Sequence, residues 1–404
     1  MKTPGHAIFV DDQPSVLEAL RRSLRSVRNE WSLTFCSSAA DALEHLAHFS
    51  NDVIVSDIAM PHMSGIELLT RVRETYPCVV RIALSGAIKR ETFLEICGNV
   101  AHQFLPKPCS REALEQALER ARSVHEILAN DKLHQLVARV TSLPAMPSLH
   151  CQLLRRLNDA DSSLHDVANI ISRDPGLSVR ILQLANSAYF GLSTPVCSID
   201  QAVTLLGLDI IRSLAASAKL ISQFNSAPPS GFSLDALWRH SIEVGRHAHA
   251  IARYEHADPE IIGQCMLAGM LHDAGKLVLA TQLTAEYEAM LQEAGASNRS
   301  SWLIEQEFLG ADHAQVGACL LELWGFDQTV CDAVRLSHEP ACPHKATFSP
   351  SAAVWAANQF ALSSMLHETI DIQSDGRLVQ WKALNAASCS PSHLNRPLES
   401  EVRP

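Results

Sequence analysis

The chain has 404 residues, 47% of them apolar and 19% charged, with a formal net charge of -11. At roughly 150 residues per domain it forms two or three domains, each able to bury a core. The negative balance and the lack of any basic run argue against a nucleic-acid surface, which needs clustered Lys and Arg.

The first segment alternates between short apolar runs and helical periodicity. Strands are expected at His6 to Val10, Leu33 to Phe35, Val53 to Val55, Val79 to Leu84 and Ala101 to Leu105. Between them lie helical patterns at Ser15 to Val27, Ser38 to Phe49, Gly65 to Tyr76 and Lys89 to Cys97, and a fifth opens at Ser110. Strands alternating with helices read as an α/β, doubly wound, five-stranded parallel sheet over about residues 5–125. From Ser110 to Val140 the pattern stays helical, with no Gly or Pro. This 110–140 connector either packs on its own domain or forms a pairing surface in a homodimer. Past Thr141 the strand signals vanish. An all-α region follows over 135–365, and Pro228-Pro-Ser-Gly231 divides it into lobes of about 141–227 and 232–365. The tail 388–404, with Pro391, Pro397 and Pro404, reads as disordered.

The 11 cysteines are scattered, with no C-x-x-C pair, as expected of a reducing cytoplasm. The apolar run Ala7 to Val10 is too short for a signal peptide, and no stretch suits a membrane span. A cytoplasmic protein without a membrane partner is expected.

Asp11 and Asp12 end the first strand, Asp57 the third and Ser85 the fourth, and Lys107 follows the fifth. In an open α/β sheet, ligands gather at the carboxyl ends of the strands. Three carboxylates brought together there repel one another and call for a hard divalent cation, Mg²⁺ above all. A hydroxyl and an ammonium beside a metal-bound carboxylate suit phosphoryl transfer.

Phe9-Val-Asp-Asp12, Ser56-Asp57-Ile-Ala-Met-Pro-His-Met-Ser-Gly65, Leu84-Ser-Gly86 and Phe104-Leu-Pro-Lys-Pro108 together resemble the signature of response-regulator receiver domains. The resemblance implies that Asp57 accepts a phosphoryl group from a sensor histidine kinase or phosphotransfer protein. Asp12 would be the main Mg²⁺ ligand, supported by Asp11, Asp57 and the Ala59 carbonyl. Ser85 would bond the phosphoryl oxygen and Lys107 would neutralise it. Phe104 falls at the family's switch aromatic, or is a plain core residue. The Lys107-Pro108 bond is implied to be cis.

The helical region resembles the HDOD domain, an output module related to the HD phosphohydrolases. The resemblance rests on Leu143-Pro-Ala-Met-Pro147, Ile171-Ser-Arg-Asp-Pro-Gly176, Ile181-Leu-Gln-Leu-Ala-Asn-Ser187, Ile199-Asp-Gln-Ala-Val-Thr-Leu-Leu-Gly207, Leu237-Trp-Arg-His-Ser241, Leu271-His-Asp-Ala-Gly-Lys276 and Asp312-His-Ala-Gln-Val-Gly317. His240, His272, Asp273, His313 and His338 are metal-ligand types. In catalytic relatives such positions hold one or two metals that activate water. Two departures stand out. The later helix carries Asn358 where metal-dependent relatives have a carboxylate, and Glu339 follows His338 where cyclic-di-GMP phosphodiesterases have a second histidine. The histidines are then remnants of an ancestral site, a residual transition-metal site, or a working one.

The expected function is a phosphorylation-regulated signalling protein whose HDOD part is a non-catalytic scaffold for a protein partner. The alternative is a receiver-regulated, metal-dependent HD-type phosphohydrolase. A transcription factor is disfavoured, because no basic recognition helix appears.

Overall fold

The apolar runs of the first segment become five strands: β1 (Gly5–Val10), β2 (Trp31–Cys36), β3 (Val53–Asp57), β4 (Val80–Ser85) and β5 (Gln103–Pro106). The computed structural model describes residues 5–49, 51–86, 100–127, 147–157, 162–186, 196–216, 228–339 and 348–366, with isolated positions besides. The strands pair in parallel in the order β2-β1-β3-β4-β5. Every residue of β3 is buried, as a strand covered on both faces requires. The order reverses between β1 and β3, so their carboxyl ends flank one crevice.

Helices α1 (Pro14–Ser23), α2 (Ala39–His48), α3 (Gly65–Thr75) and α4 (Arg111–Ile127) cover the sheet. Proline opens α1, where its missing N–H costs nothing. Ser38 caps α2, and Ser64 with Glu67 forms a capping box on α3. The expected helix Ser15 to Val27 stops at Ser23, and Ser26–Asn29 forms a 3-10 turn. Ser23, Ser26 and Asn29 are poor helix formers, so the shorter outcome is understandable. The helix expected at Lys89 to Cys97 and the tail 388–404 lie outside the described residues. Of the expected connector, Arg111–Ile127 is helical, and Leu133, Leu136, Val137 and Val140 are buried farther on.

The remaining helices form two packed groups. The first is α5 (Pro147–Leu157), α6 (Leu164–Ile171), α7 (Pro175–Ala185) and α8 (Ile199–Ala216), the last kinked at Gly207. The second is α9 (Leu234–Tyr254), α10 (Pro259–Leu271), α11 (Ala274–Gln282), α12 (Thr284–Ser297), α13 (Ser301–Leu309), α14 (His313–Leu323), α15 (Gln328–Arg335) and α16 (Pro350–Leu366). Among the described residues no helix is long and apolar enough to cross a membrane.

The two regions touch. Helix α4 packs on α14, and the apolar layer around Leu114 and Leu118 runs on into the helical region. Gln103, the first residue of β5, donates from Nε2 to the Glu322 carbonyl near the end of α14, at 3.3 Å. Gly325, just past α14, turns the chain with a φ of 79° and seats against the Arg120 guanidinium. Buried Glu322 also accepts from Arg335 and, at 3.1 Å, from Gln328 Nε2.

Candidate functional site

Two constellations of chemically capable side chains emerge, one in each region. The first lies in the crevice at the carboxyl ends of β1 and β3. Asp57 is the last residue of β3 and is buried, Asp11 follows β1 and is fully buried, and Asp12 comes next. Their ligand oxygens lie within 4.8 Å of one another. Lys107 Nζ sits 2.5 Å from Asp11 Oδ2 and 2.8 Å from Asp57 Oδ2. Asp11 Oδ1 also accepts from the Gln13 backbone N–H at 3.0 Å, so both its oxygens are engaged. Asp12 Oδ1 is buried and accepts nothing. An orphaned anionic oxygen beside two more carboxylates is costly unless a cation meets it. The residues therefore fit a hard divalent ion. Ser85 ends β4 next to Leu84, the register partner of Asp57. Ala59 lies two residues past Asp57 and is exposed. Phe104 is half-buried against the apolar layer to which α3 contributes Leu68 and Leu69. The Lys107-Pro108 bond is cis.

The second constellation lies among α9, α10, α13 and α14. Two helix crossings build it, and both depend on glycine. A Cβ on Gly269 would fall 2.8 Å from Gly245 Cα, so α9 and α10 close to backbone contact. That crossing brings His240, on α9, beside His272 at the end of α10, with ring centroids 5.2 Å apart. A Cβ on Gly275 would fall 1.9 Å from the His313 carbonyl and 2.8 Å from Gly317 N. That crossing of α11 and α14 brings His313 to Asp273, with Nε2 3.1 Å from Oδ1. Asp273 belongs to both halves: His240, His272 and Asp273 form one ligand-type group, and Asp273, His313 and His338 another.

The hydrogen bonds assign most of the ring nitrogens. His240 Nε2 donates to Asn358 Oδ1 at 3.1 Å. His272 Nδ1 donates to the Gly269 carbonyl at 2.8 Å, leaving Nε2 buried and unpartnered. His313 Nδ1 donates to Glu305 Oε2 at 2.5 Å, and the same oxygen accepts the His313 backbone N–H at 2.7 Å. His313 Nε2 and His338 Nε2 face each other at 2.7 Å. Lys276 Nζ donates to Asp273 Oδ2 at 2.8 Å, one turn beyond the His-Asp pair as its spacing suggests. Burial opposes the Asp273 carboxylate, but His272, Lys276 and His313 outweigh it and hold its pKa well below the usual range. Burial likewise opposes the His313 cation, but Glu305 beside it lifts the ring to about 9. Burial, then the His313 charge, drives His338 down to about 2. Burial, with His240 and Lys276 nearby, outweighs the neighbouring carboxylate at His272, which falls to about 4. The buried charges thus balance as Asp273 and Glu305 against Lys276 and His313.

The structure brings together all five helical-region residues singled out in the sequence, and Asn358 meets them. It adds Glu305, fully buried on α13. Its signal was faint: it shares a helix face with Trp302 and Leu309, four residues on, as an apolar residue would. Glu339 is exposed and does not supply the missing carboxylate.

Comparison with known proteins matches residues 7–119 to the response regulator receiver domain and residues 143–340 to the HDOD domain. Response regulator MprA of Mycobacterium leprae (strain TN) is 35% identical over 120 residues, 29% of this chain and 49% of its own length. An uncharacterized protein of Treponema pallidum (strain Nichols) is 25% identical over 206 residues, 51% of this chain and 39% of its own. The chain spans between 31% and 50% of the length of these and similar curated relatives. Among solved structures, the MmoQ response regulator of Methylococcus capsulatus str. Bath is 26% identical, with a TM-score of 0.50. The match covers 60% of this chain and 93% of that one.

Proposed function

Because the chain belongs to the response regulators, joining a receiver domain to an HDOD domain, we propose that it is a phosphorylation-controlled binding protein. Asp57 accepts the phosphoryl group from a histidine kinase or phosphotransfer protein, and the HDOD domain changes how it engages a protein partner. One observation carries the first half: Asp57 lies at a strand end with Lys107 Nζ 2.8 Å away and two further carboxylates beside it. Asp12, Asp57 and the Ala59 carbonyl would hold Mg²⁺, with Asp11 in support. The ion, when bound, offsets charge on the transferred group. A carboxylate oxygen of Asp57 bonds to phosphorus as the donor's bond to phosphorus breaks. Lys107 then faces an added charge of about -1.5 to -2 and moves from carboxylate to phosphoryl oxygen. The Ser85 hydroxyl is assigned to another phosphoryl oxygen, and Phe104 to the aromatic that answers the change.

The binding role of the HDOD domain is supported by Asn358. An amide supplies no charge to a metal, and it occupies His240 Nε2 with a hydrogen bond. Asn358 therefore adds no second carboxylate to the His240 half beside the shared Asp273, and His240 Nε2 is not free. The rival reading, a metal-dependent phosphohydrolase, draws on the convergence of Asp273, His313 and His338. Acetyl phosphate with Mg²⁺ should add one phosphoryl group to the chain and none to Asp57→Asn. Equal labelling of both would remove Asp57 from its role. Protein loaded in turn with Mn²⁺, Fe²⁺ and Zn²⁺ should not turn over cyclic dinucleotides, nucleoside phosphates or an aryl phosphodiester. Turnover that vanishes in the double variant His272→Ala, Asp273→Ala would make the phosphohydrolase reading correct.

A further inference from the structure

The receiver sheet has two edges, β2 and β5, and only β5 is protected. We propose that β2 is a docking edge for an extended, acidic and apolar segment of a partner protein. The inference goes beyond the reading above. It concerns a second surface, on the receiver domain, and does not depend on phosphorylation of Asp57.

A sheet edge carries unpaired backbone groups that recruit other strands, and proteins blunt it with a short strand, proline, charge or a covering element. β5 follows this rule: it has four residues, ends at Pro106 and meets α14 through Gln103. β2 does not. It runs for six residues, Trp31-Ser-Leu-Thr-Phe-Cys36, with neither proline nor charge. Hydrogen bonds fix which of its groups face outward. The Gly5 N–H donates to the Glu30 carbonyl at 2.9 Å, and the Asp11 N–H to the Cys36 carbonyl at 3.2 Å. Bonded residues alternate along a parallel pair, so Ser32 and Thr34 also turn toward β1. Trp31, Leu33 and Phe35 therefore turn their N–H and C=O groups away from it. Among the described residues, no strand pairs with that side.

The side chains of these same residues share one face of the strand. With Arg21 of α1 they line an open pocket of about 330 Å³. That is the low end of ligand pockets, and it suits one or two large side chains better than a cofactor. Trp31 is buried, whereas Leu33 and Phe35 are half-buried. Phe35 stacks on Phe9 at 5.3 Å, and the Arg21 guanidinium lies 4.8 Å from its ring centroid. Outward backbone groups beside a pocket for alternate side chains are what strand addition requires.

Arg21 decides the occupant. Its side chain is 48% exposed, and its ion pair with Glu18, at 3.8 Å, is too long for a hydrogen bond. A carboxylate on the incoming strand would complete it. A second copy of β2 fits less well. It would add another Arg21 to the same face, and the acid that precedes it, Glu30, is already held by Arg122 at 2.6 Å.

The test uses the full chain with Mg²⁺ and a fluorescein-labelled peptide, Thr-Val-Thr-Ile-Thr-Asp, whose Val, Ile and Asp share one face. Fluorescence anisotropy should show saturable binding with a Kd below about 1 mM. Methylating every second backbone nitrogen of the peptide should abolish binding in one phase and spare it in the other, because alternate N–H groups point to opposite edges. Replacing the peptide's Asp by Lys should weaken binding about tenfold, and Arg21→Glu should reverse that preference. Leu33→Lys puts a charge in the pocket and should also lose binding. Circular dichroism establishes that each variant is folded, and the altered peptides decide the matter if one is not. No binding to the wild type, equal binding of the two methylated peptides, or an unchanged preference in Arg21→Glu overturns the proposal. So does full binding in a folded Leu33→Lys. A dimer in sedimentation equilibrium that Leu33→Lys dissolves would overturn it too, by making a second copy the occupant. Failure of Asp57 to be phosphorylated would leave all of these outcomes untouched.

Discussion

Adding one methyl group to Gly275 tests whether helix crossing builds the histidine cluster. In Gly275→Ala the new Cβ would start 1.9 Å from the His313 carbonyl oxygen. An ordinary contact needs about 3.4 Å, so α11 and α14 must part by roughly 1.5 Å. Neither neighbour is a flexible side-chain end; both are helix backbone. Overpacking of this kind costs about 3 kcal/mol, and the better helix propensity of alanine returns up to about 1 kcal/mol. The net loss is about 2 kcal/mol, or about 1 M in the urea midpoint for a slope near 2 kcal/mol/M. Tryptophan fluorescence is a suitable signal, because five of the six tryptophans lie at 238 or beyond. Gly295→Ala is the matched control: it sits at an exposed position of α12, with nothing within 4 Å of its added Cβ. It should gain about 0.5–1 kcal/mol. The two substitutions are chemically identical and should move the midpoint in opposite directions. If Gly275→Ala is as stable as Gly295→Ala, the crossing is not tight and the account of the cluster fails.

Further outcomes follow from other contacts. Lys107→Met should lower the stability of the receiver domain by about 2–3 kcal/mol in chelator, because Asp11 and Asp57 lose their shared cation, and millimolar Mg²⁺ should restore part of it; a melting temperature indifferent to Mg²⁺ would contradict this. Arg120→Glu should loosen the seat of Gly325 and raise hydrogen exchange in α14 while acetyl phosphate still labels Asp57; unchanged exchange would mean that the seat does not hold the domains together. Asn358→Asp should place a second carboxylate beside His240 and raise the affinity of the HDOD domain for Mn²⁺, measured by equilibrium dialysis; an affinity identical to the wild type would show that more than this one amide disables the His240 half.

The receiver pocket was legible because its residues sit at strand ends, and a strand end is a local property. Asp11, Asp57 and Lys107 each follow a short apolar run, and the topology of a parallel sheet does the rest. The ligand types of the second cluster were legible one by one. Their convergence was not, because it depends on helices meeting at Gly245 with Gly269 and Gly275 with Gly317, pairs 24 and 42 residues apart. Glu305 stayed hidden for a related reason: a glutamate on an apolar helix face acquires meaning only from what lies opposite. The docking of β5 and α4 on α14 left no trace in periodicity. The 110–140 stretch was the only link between the domains that the sequence offered, yet the structure adds a direct one through Gln103 and Glu322.

Helix α14 begins at His313 and ends one residue past Glu322. From His313 to Glu322 the helix makes a rod of about 14 Å, with the histidine cluster at one end and the receiver at the other. A rod transmits in both directions. If phosphorylation changes the affinity of the HDOD domain for a partner by some factor, that partner must change the free energy of phosphorylation at Asp57 by the same factor. A partner that is preferred tenfold would favour the phosphorylated chain by about 1.4 kcal/mol. Abundance of the partner would then be an input to the receiver, read alongside the signal from the kinase.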